Sequence, residues 1–191
     1  MNIKRPSAII FSALLLTFGS TCRMAVAEEA KAAPDRVLAA PEFPDSFTDR
    51  SWHEGELQTD LGPAKYQDMY ANRKAMHLTL RRFMVAAKAW ELKSPKKMLD
   101  DARDNILRGE GAPKLVSEKD FAVDGFPGRS FLFLHEKDNT VERMDWFLLR
   151  PNAFIFTYSG PKAGLESADV KAFFKGIKTM EAKANNTPKA K

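Results

Sequence analysis

The sequence predicts one α+β domain, an antiparallel β-sheet covered by helices on both faces in an α-β-α sandwich. Three observations predict it. Between Leu115 and Tyr158 the chain is a succession of segments rich in β-formers, separated by short turn signals. Amphipathic helix patterns flank this stretch at 94–106 and 167–180. The central strands are also apolar on both alternating faces, whereas an antiparallel sheet with one wet face alternates polar with apolar.

The start reads as a signal peptide over residues 1–27: Lys4 and Arg5 precede an apolar run from Ala8 to Phe18, and Ala25-Val26-Ala27 supplies small residues before a cut at Glu28. The run is shorter than the roughly 20 apolar residues that span a bilayer, so no transmembrane anchor is expected after cleavage. Cys22 lies in the leader, and Gly19-Ser20-Thr21 lacks the Leu that a lipobox carries three residues before its cysteine. Cleavage leaves a chain without a disulfide and removes Lys4, Arg5 and Arg23, so the formal charge of +5 falls to about two. So small an excess among many ions does not suggest the basic footprint of a nucleic-acid binder.

Residues 28–42, rich in Ala, read as a flexible spacer. The domain is expected over 43–180, followed by a disordered tail at 181–191. Within 45–93, "ELQTDLGPAKYQDMYAN" and "MHLTLRRFMVA" read as strands around turns at Gly62-Pro63 and Asn72-Arg73, with a helix from Ala75 to Leu92 as a rival. In "SPKKMLDDARDNILRGEG", Ser94 caps, Pro95 takes the first helical position, and Leu99, Ala102 and Ile106 share a face up to Gly109 or Gly111. In "SADVKAFFKGIKTM", Ser167 caps, Asp169 sits in the first turn, and Val170, Phe173, Phe174 and Ile177 form the stripe.

Strands are expected at 115–123, 129–137, 141–150 and 153–158, with Asp138-Asn139 and Pro151-Asn152 as two-residue connections. Counting back from those turns places Leu132, Leu134, Phe147, Leu149, Phe154 and Phe156 on one face. The other face receives Phe131, Phe133, Met144, Trp146, Leu148 and Ile155. "DGFPGR" at 124–129 lies between two strands. Gly125 and Gly128 suit positive φ there and Pro127 suits a turn, whereas a phosphate loop needs a helix to follow.

The order "SPKKMLDDARDNIL", "VDGFPGRSF", "ERMDWFLLRPNAFIFTYSGP", "SADVKAFFKGIK" resembles bacterial exported proteins of unknown function with the fold of PsbP and the Mog family. That resemblance implies an antiparallel sheet sandwiched between helices. Photosystem II accessory proteins and a Ran-binding factor share the fold, but a fold does not carry a function with it.

Chemistry-bearing patterns are sparse. His53, His77 and His135 are the only histidines and lack metal-ligand spacing; no G-x-S-x-G elbow or Walker loop is present, and no cofactor motif stands out. Arg129, Arg143 and Arg150 sit near turns and are candidates to hold an anion or contact a partner, with ion pairing to Glu136, Glu142 or Asp145 as the plainer reading. The expectation is an exported, periplasmic or extracellular, non-enzymatic binding or assembly module for a protein or small ligand of the cell envelope. An enzyme of hydrolase type with dispersed residues, or a small-ligand or lipid carrier, is the alternative.

Overall fold

The computed structural model describes residues 36–39, 42–59, 62–109 and 111–181. Its strands are β1 (Arg36–Ala39), β2 (Asp49–Thr59), β3 (Gly62–Arg73), β4 (Met76–Met84), β5 (Lys114–Val123), β6 (Phe126–His135), β7 (Thr140–Leu149), β8 (Asn152–Pro161) and β9 (Lys178–Glu181). The α-helices are α1 (Ala87–Leu92), α2 (Pro95–Ile106) and α3 (Ala168–Lys175), with a 3-10 helix at Lys162–Glu166. Seven strands form one antiparallel sheet in the order β2-β3-β4-β8-β7-β6-β5, while β1 and β9 form a separate two-stranded ribbon.

Turn chemistry sets the registers. Asp124 and Gly125 have φ of 51° and 85°, so both central residues of the β5–β6 turn adopt the positive φ that a type I′ hairpin requires. Gly128 lies inside β6, outside the turn, and its φ is not positive. A side chain there would meet Phe121 Cζ at 2.5 Å and the Trp146 carbonyl at 2.7 Å, so glycine is required for space. Pro127 precedes the first β6–β7 pair, Gly128↔Phe147, and its missing N–H costs that ladder nothing.

The other two connections correct the expected turns. β6 and β7 close at His135↔Thr140 around a four-residue loop, and β7 and β8 close at Leu149↔Asn152 around Arg150-Pro151, whose bond is cis. Each register is displaced by two residues from the expected pairing, and a shift of two leaves every side chain on its face. Phe147, Leu149, Phe154 and Phe156 accordingly share one core with Val170, Phe173 and Phe174 of α3, with Leu132 and Leu134 packed against it. Phe131, Phe133, Met144, Trp146, Leu148 and Ile155 share the other core with Leu99, Ala102 and Ile106 of α2.

The α-β-α sandwich nevertheless does not describe the molecule. Strand residues outnumber helical ones by more than two to one, and the architecture is a mostly β, seven-stranded sheet with few helices. Two-sided burial belongs to the middle of the sheet, where α2 and α3 lie, and nine of the eleven β2 residues are exposed. A helix of twelve residues and one of eight are too small to roof seven strands whose spacing is about 4.8 Å.

Smaller departures have local causes. α3 ends at Lys175 because Gly176 takes the C-cap, and Lys178–Glu181 then pairs with β1 as β9 instead of extending the helix. Arg36–Ala39, inside the stretch expected to be a spacer, is therefore a paired strand. The β3–β4 turn falls at Lys74-Ala75, not Asn72-Arg73, with Lys74 at φ 53°. The rival helix over 75–92 is realised only in α1. The signal-peptide reading and the tail beyond Glu181 lie outside the described residues. Among the described residues, no helix is long and apolar enough to cross a membrane.

Candidate functional site

Beside α3 the sheet leaves an open groove of about 530 Å³. Its floor comes from alternate residues of β5, β6 and β7, including Lys119, Phe121, Ser130, Leu132, Arg143 and Asp145. The wall comes from Leu165 and Glu166 of the 3-10 helix, Lys171 and Phe174 of α3, and Ile177 beyond it. The period-two alternation of the strands delivers floor residues to this face, and the 3.6-residue period of α3 turns Phe174 and Lys171 toward it.

The polar groups on the floor hold one another. Asp145, 4 % exposed, accepts from Ser130 Oγ at 2.6 Å, Arg143 Nε at 3.0 Å and Arg143 Nη2 at 2.7 Å. The Arg143 guanidinium also lies 3.9 Å from the centroid of the Phe174 ring, a cation–π contact that fixes its plane. On the wall Lys171 pairs with Glu166 at 2.7 Å, and this holds the Glu166 carboxyl below its ordinary range. Lys119 is exposed and has no ion-pair partner among the described residues. The lining thus carries three cations against two carboxylates, within walls of Phe121, Leu132, Leu165, Phe174 and Ile177.

The three arginines singled out from the sequence do not meet. Arg143 faces α3 and reaches the groove. Arg129 points to the opposite face, where it is 4 % exposed and pairs with Glu118 at 2.8 Å, Asp120 at 2.5 Å and Asp100 of α2. Burial there disfavours its charge, but the carboxylates of Asp120 and Asp100 more than offset that and raise its pKa. Arg103 adds a bond to Glu118 at 3.1 Å, so this cluster ties α2 to β5 and β6 and leaves no site for an external anion. Arg150 is exposed at the β7–β8 turn, away from both.

The histidines are likewise dispersed. His77 Nδ1 lies 2.8 Å from Asn72, His135 Nε2 lies 3.1 Å from Glu142, and His53 packs edge-on to Tyr70. Among the described residues, no group of three or more His, Cys, Asp or Glu side chains could hold a metal. One buried polar cluster went unforeseen. Asp68, 1 % exposed, takes two 2.6 Å bonds from Arg81 and one of 2.6 Å from Tyr70, and the desolvated Tyr70 hydroxyl is pushed up in pKa, its bond to Asp68 adding to the effect. Its only sequence signal is the register Asp68↔Arg81, which needs the position of the Lys74-Ala75 turn. Asp145 was foreseen as an ion-pair partner and pairs with Arg143, whereas Lys119, Ser130 and Lys171 were missed for a similar reason, since only the fold joins β5 to α3.

No family model matches this chain, and no curated protein matches it. Among solved structures it is similar to the crystal structure of PA94 from Pseudomonas aeruginosa, a protein of unknown function: 18% identity over 68% of this chain and 85% of that chain. The TM-score of 0.39 is too low for this likeness to carry an argument.

Proposed function

We propose that the protein is an exported binding module whose groove beside α3 holds an apolar segment bearing an acidic group, from a partner in the cell envelope. The charged start, apolar run and Ala-Val-Ala of the first 27 residues support export. The observation that carries the binding reading is the pairing inside the groove. Ser130, Asp145 and Arg143 satisfy one another and Phe174 fixes the arginine, so the site is preorganised and pays little ordering entropy when a ligand enters. Lys119 stands exposed in the lining to meet the acidic group. No side chain in the lining is arranged as a nucleophile hydrogen-bonded to a histidine base, the pattern an acyl-transfer site uses.

The test is capture of a partner from the envelope fraction of the producing cell by the wild type and by Lys119→Glu, run beside an activity screen. The expected result is one reproducible partner whose recovery falls at least about tenfold in the variant, equivalent to roughly 1.4 kcal/mol, while circular dichroism is unchanged. Undiminished recovery in Lys119→Glu, or turnover that survives it, contradicts the proposal.

A further inference from the structure

Among the described residues, β2 and β5 each pair with a neighbour on one side only, and these two edges of the seven-stranded sheet differ. The β5 edge carries an irregularity where its register shifts between Leu115 and Ser117, a device that discourages further pairing. The β2 edge pairs with β3 over eleven residues without a shift and contains no proline. A long regular edge strand is a template for another strand.

The turns define which backbone groups it offers. Arg73↔Met76 closes the two-residue β3–β4 turn, so odd-numbered β3 residues bond to β4 and even-numbered ones bond to β2. Asp68↔His53 and Tyr70↔Ser51 are therefore bonded pairs of the β2–β3 ladder. The N–H and C=O groups of Arg50, Trp52, Glu54 and Glu56 point away from the sheet.

We propose that β2 pairs antiparallel with β2 of a second copy of this chain, in the register centred on Trp52, which joins two seven-stranded sheets into one. In that register the outward backbone groups of one strand meet those of the other. Trp52, 57% exposed, lies opposite Trp52 of the second copy, and Arg50 lies opposite Glu54 on both sides of it. On the other face Ser51 lies opposite His53, and Asp49 lies opposite Gly55. Neighbouring registers separate Arg50 from Glu54: centring on Arg50 or Glu54 opposes that charge to itself, centring on Ser51 places Glu54 against Thr48, and centring on His53 places Trp52 against Glu54. The edge is a narrow strip, so the dimer is a weak one, with dissociation in the micromolar range, about what interfaces at the small end of the size range give.

Sedimentation equilibrium of the protein as it accumulates in the producing cell is the test. Glu54→Pro removes an outward N–H and leaves the β3 ladder intact, while Glu54→Lys places a cation opposite Arg50. Each should weaken self-association at least about tenfold. Arg50→Glu should do the same, and because Arg50 also donates to the Phe43 and Phe47 carbonyls its fold is checked by circular dichroism. Mixing Glu54→Lys with Arg50→Glu should restore a dimer, since opposite charges then face at both positions. A protein that remains monomeric to about 100 μM, where a micromolar dimer would be nearly complete, overturns the proposal. Association unchanged in Glu54→Pro does so too.

Discussion

Glu118 and Lys119 are neighbours in β5 and serve opposite faces of the same sheet. Glu118 joins Arg129 and Arg103 in the ion cluster under α2, whereas Lys119 lines the groove beside α3. Each face has a dry aromatic centre and one arginine from the β6–β7 hairpin, but the arginines are used differently. Arg129 is enclosed by three carboxylates that anchor a helix. Arg143 shares one aspartate and lies against Phe174 in an open groove. The α2 face is closed by its charges, and the α3 face is left with a charged and apolar surface to offer.

If the faces differ only in their polar residues, their centres should be equally costly to disturb. Phe133→Ala on the α2 side and Phe156→Ala on the α3 side, both fully buried, should each destabilise by about 3–5 kcal/mol in urea titrations. A large inequality between them would break the comparison.

Arg129→Met should cost about 2–3 kcal/mol, less than a fully buried pair because Asp120 is exposed. It should also change the acid limb. The hydrogen bond from Arg129 holds the Asp100 carboxyl below 3.8, so this stabilisation is present above that value and lost as pH falls through the lower folded value. In Arg129→Met the loss should shrink, as read from the denaturation midpoint against pH. Gly128→Val should cost about 1–3 kcal/mol by overpacking, because the Trp146 backbone cannot withdraw as a side-chain tip could.

The smallest effect belongs to His135, whose pKa is raised by its bond to Glu142. A raised folded pKa means that the contribution is full below the unfolded value near 6.5 and fades as pH rises through the higher folded value. His135→Gln should lower stability by a small, constant amount below about pH 6.5 and flatten the profile just above it, leaving the high-pH end unchanged.

The parts legible in the sequence were those with short-range causes. Ser94 and Ser167 cap their helices by accepting from Lys97 N and Val170 N, and the two alternating apolar sets of β6, β7 and β8 fall into the two cores. A two-residue error in each hairpin did no harm to the faces, because the strand period is two. Sheet width was not legible, since nothing local says that β2 and β3 extend past the reach of α2 and α3. The ribbon of β1 and β9 was hidden for the same reason, its partners being far apart in the chain. Of the candidate site, Arg143 was visible as a strand-end arginine. Its partner Asp145 stands two residues away in the chain, but Phe174, which lies against the Arg143 guanidinium, is brought near only by the docking of α3.

The most direct measurement compares Glu118→Gln with Lys119→Glu, by melting temperature and by recovery of the proposed partner. Glu118→Gln should lower the melting temperature and leave partner recovery unchanged, since it disturbs only the cluster that anchors α2. Lys119→Glu should leave the melting temperature within the small range of surface substitutions, about 0.5 kcal/mol in stability, and lower recovery at least about tenfold. Equal effects of the two variants on both readouts, or the reverse assignment, would contradict the division of the sheet into a structural face and a binding face.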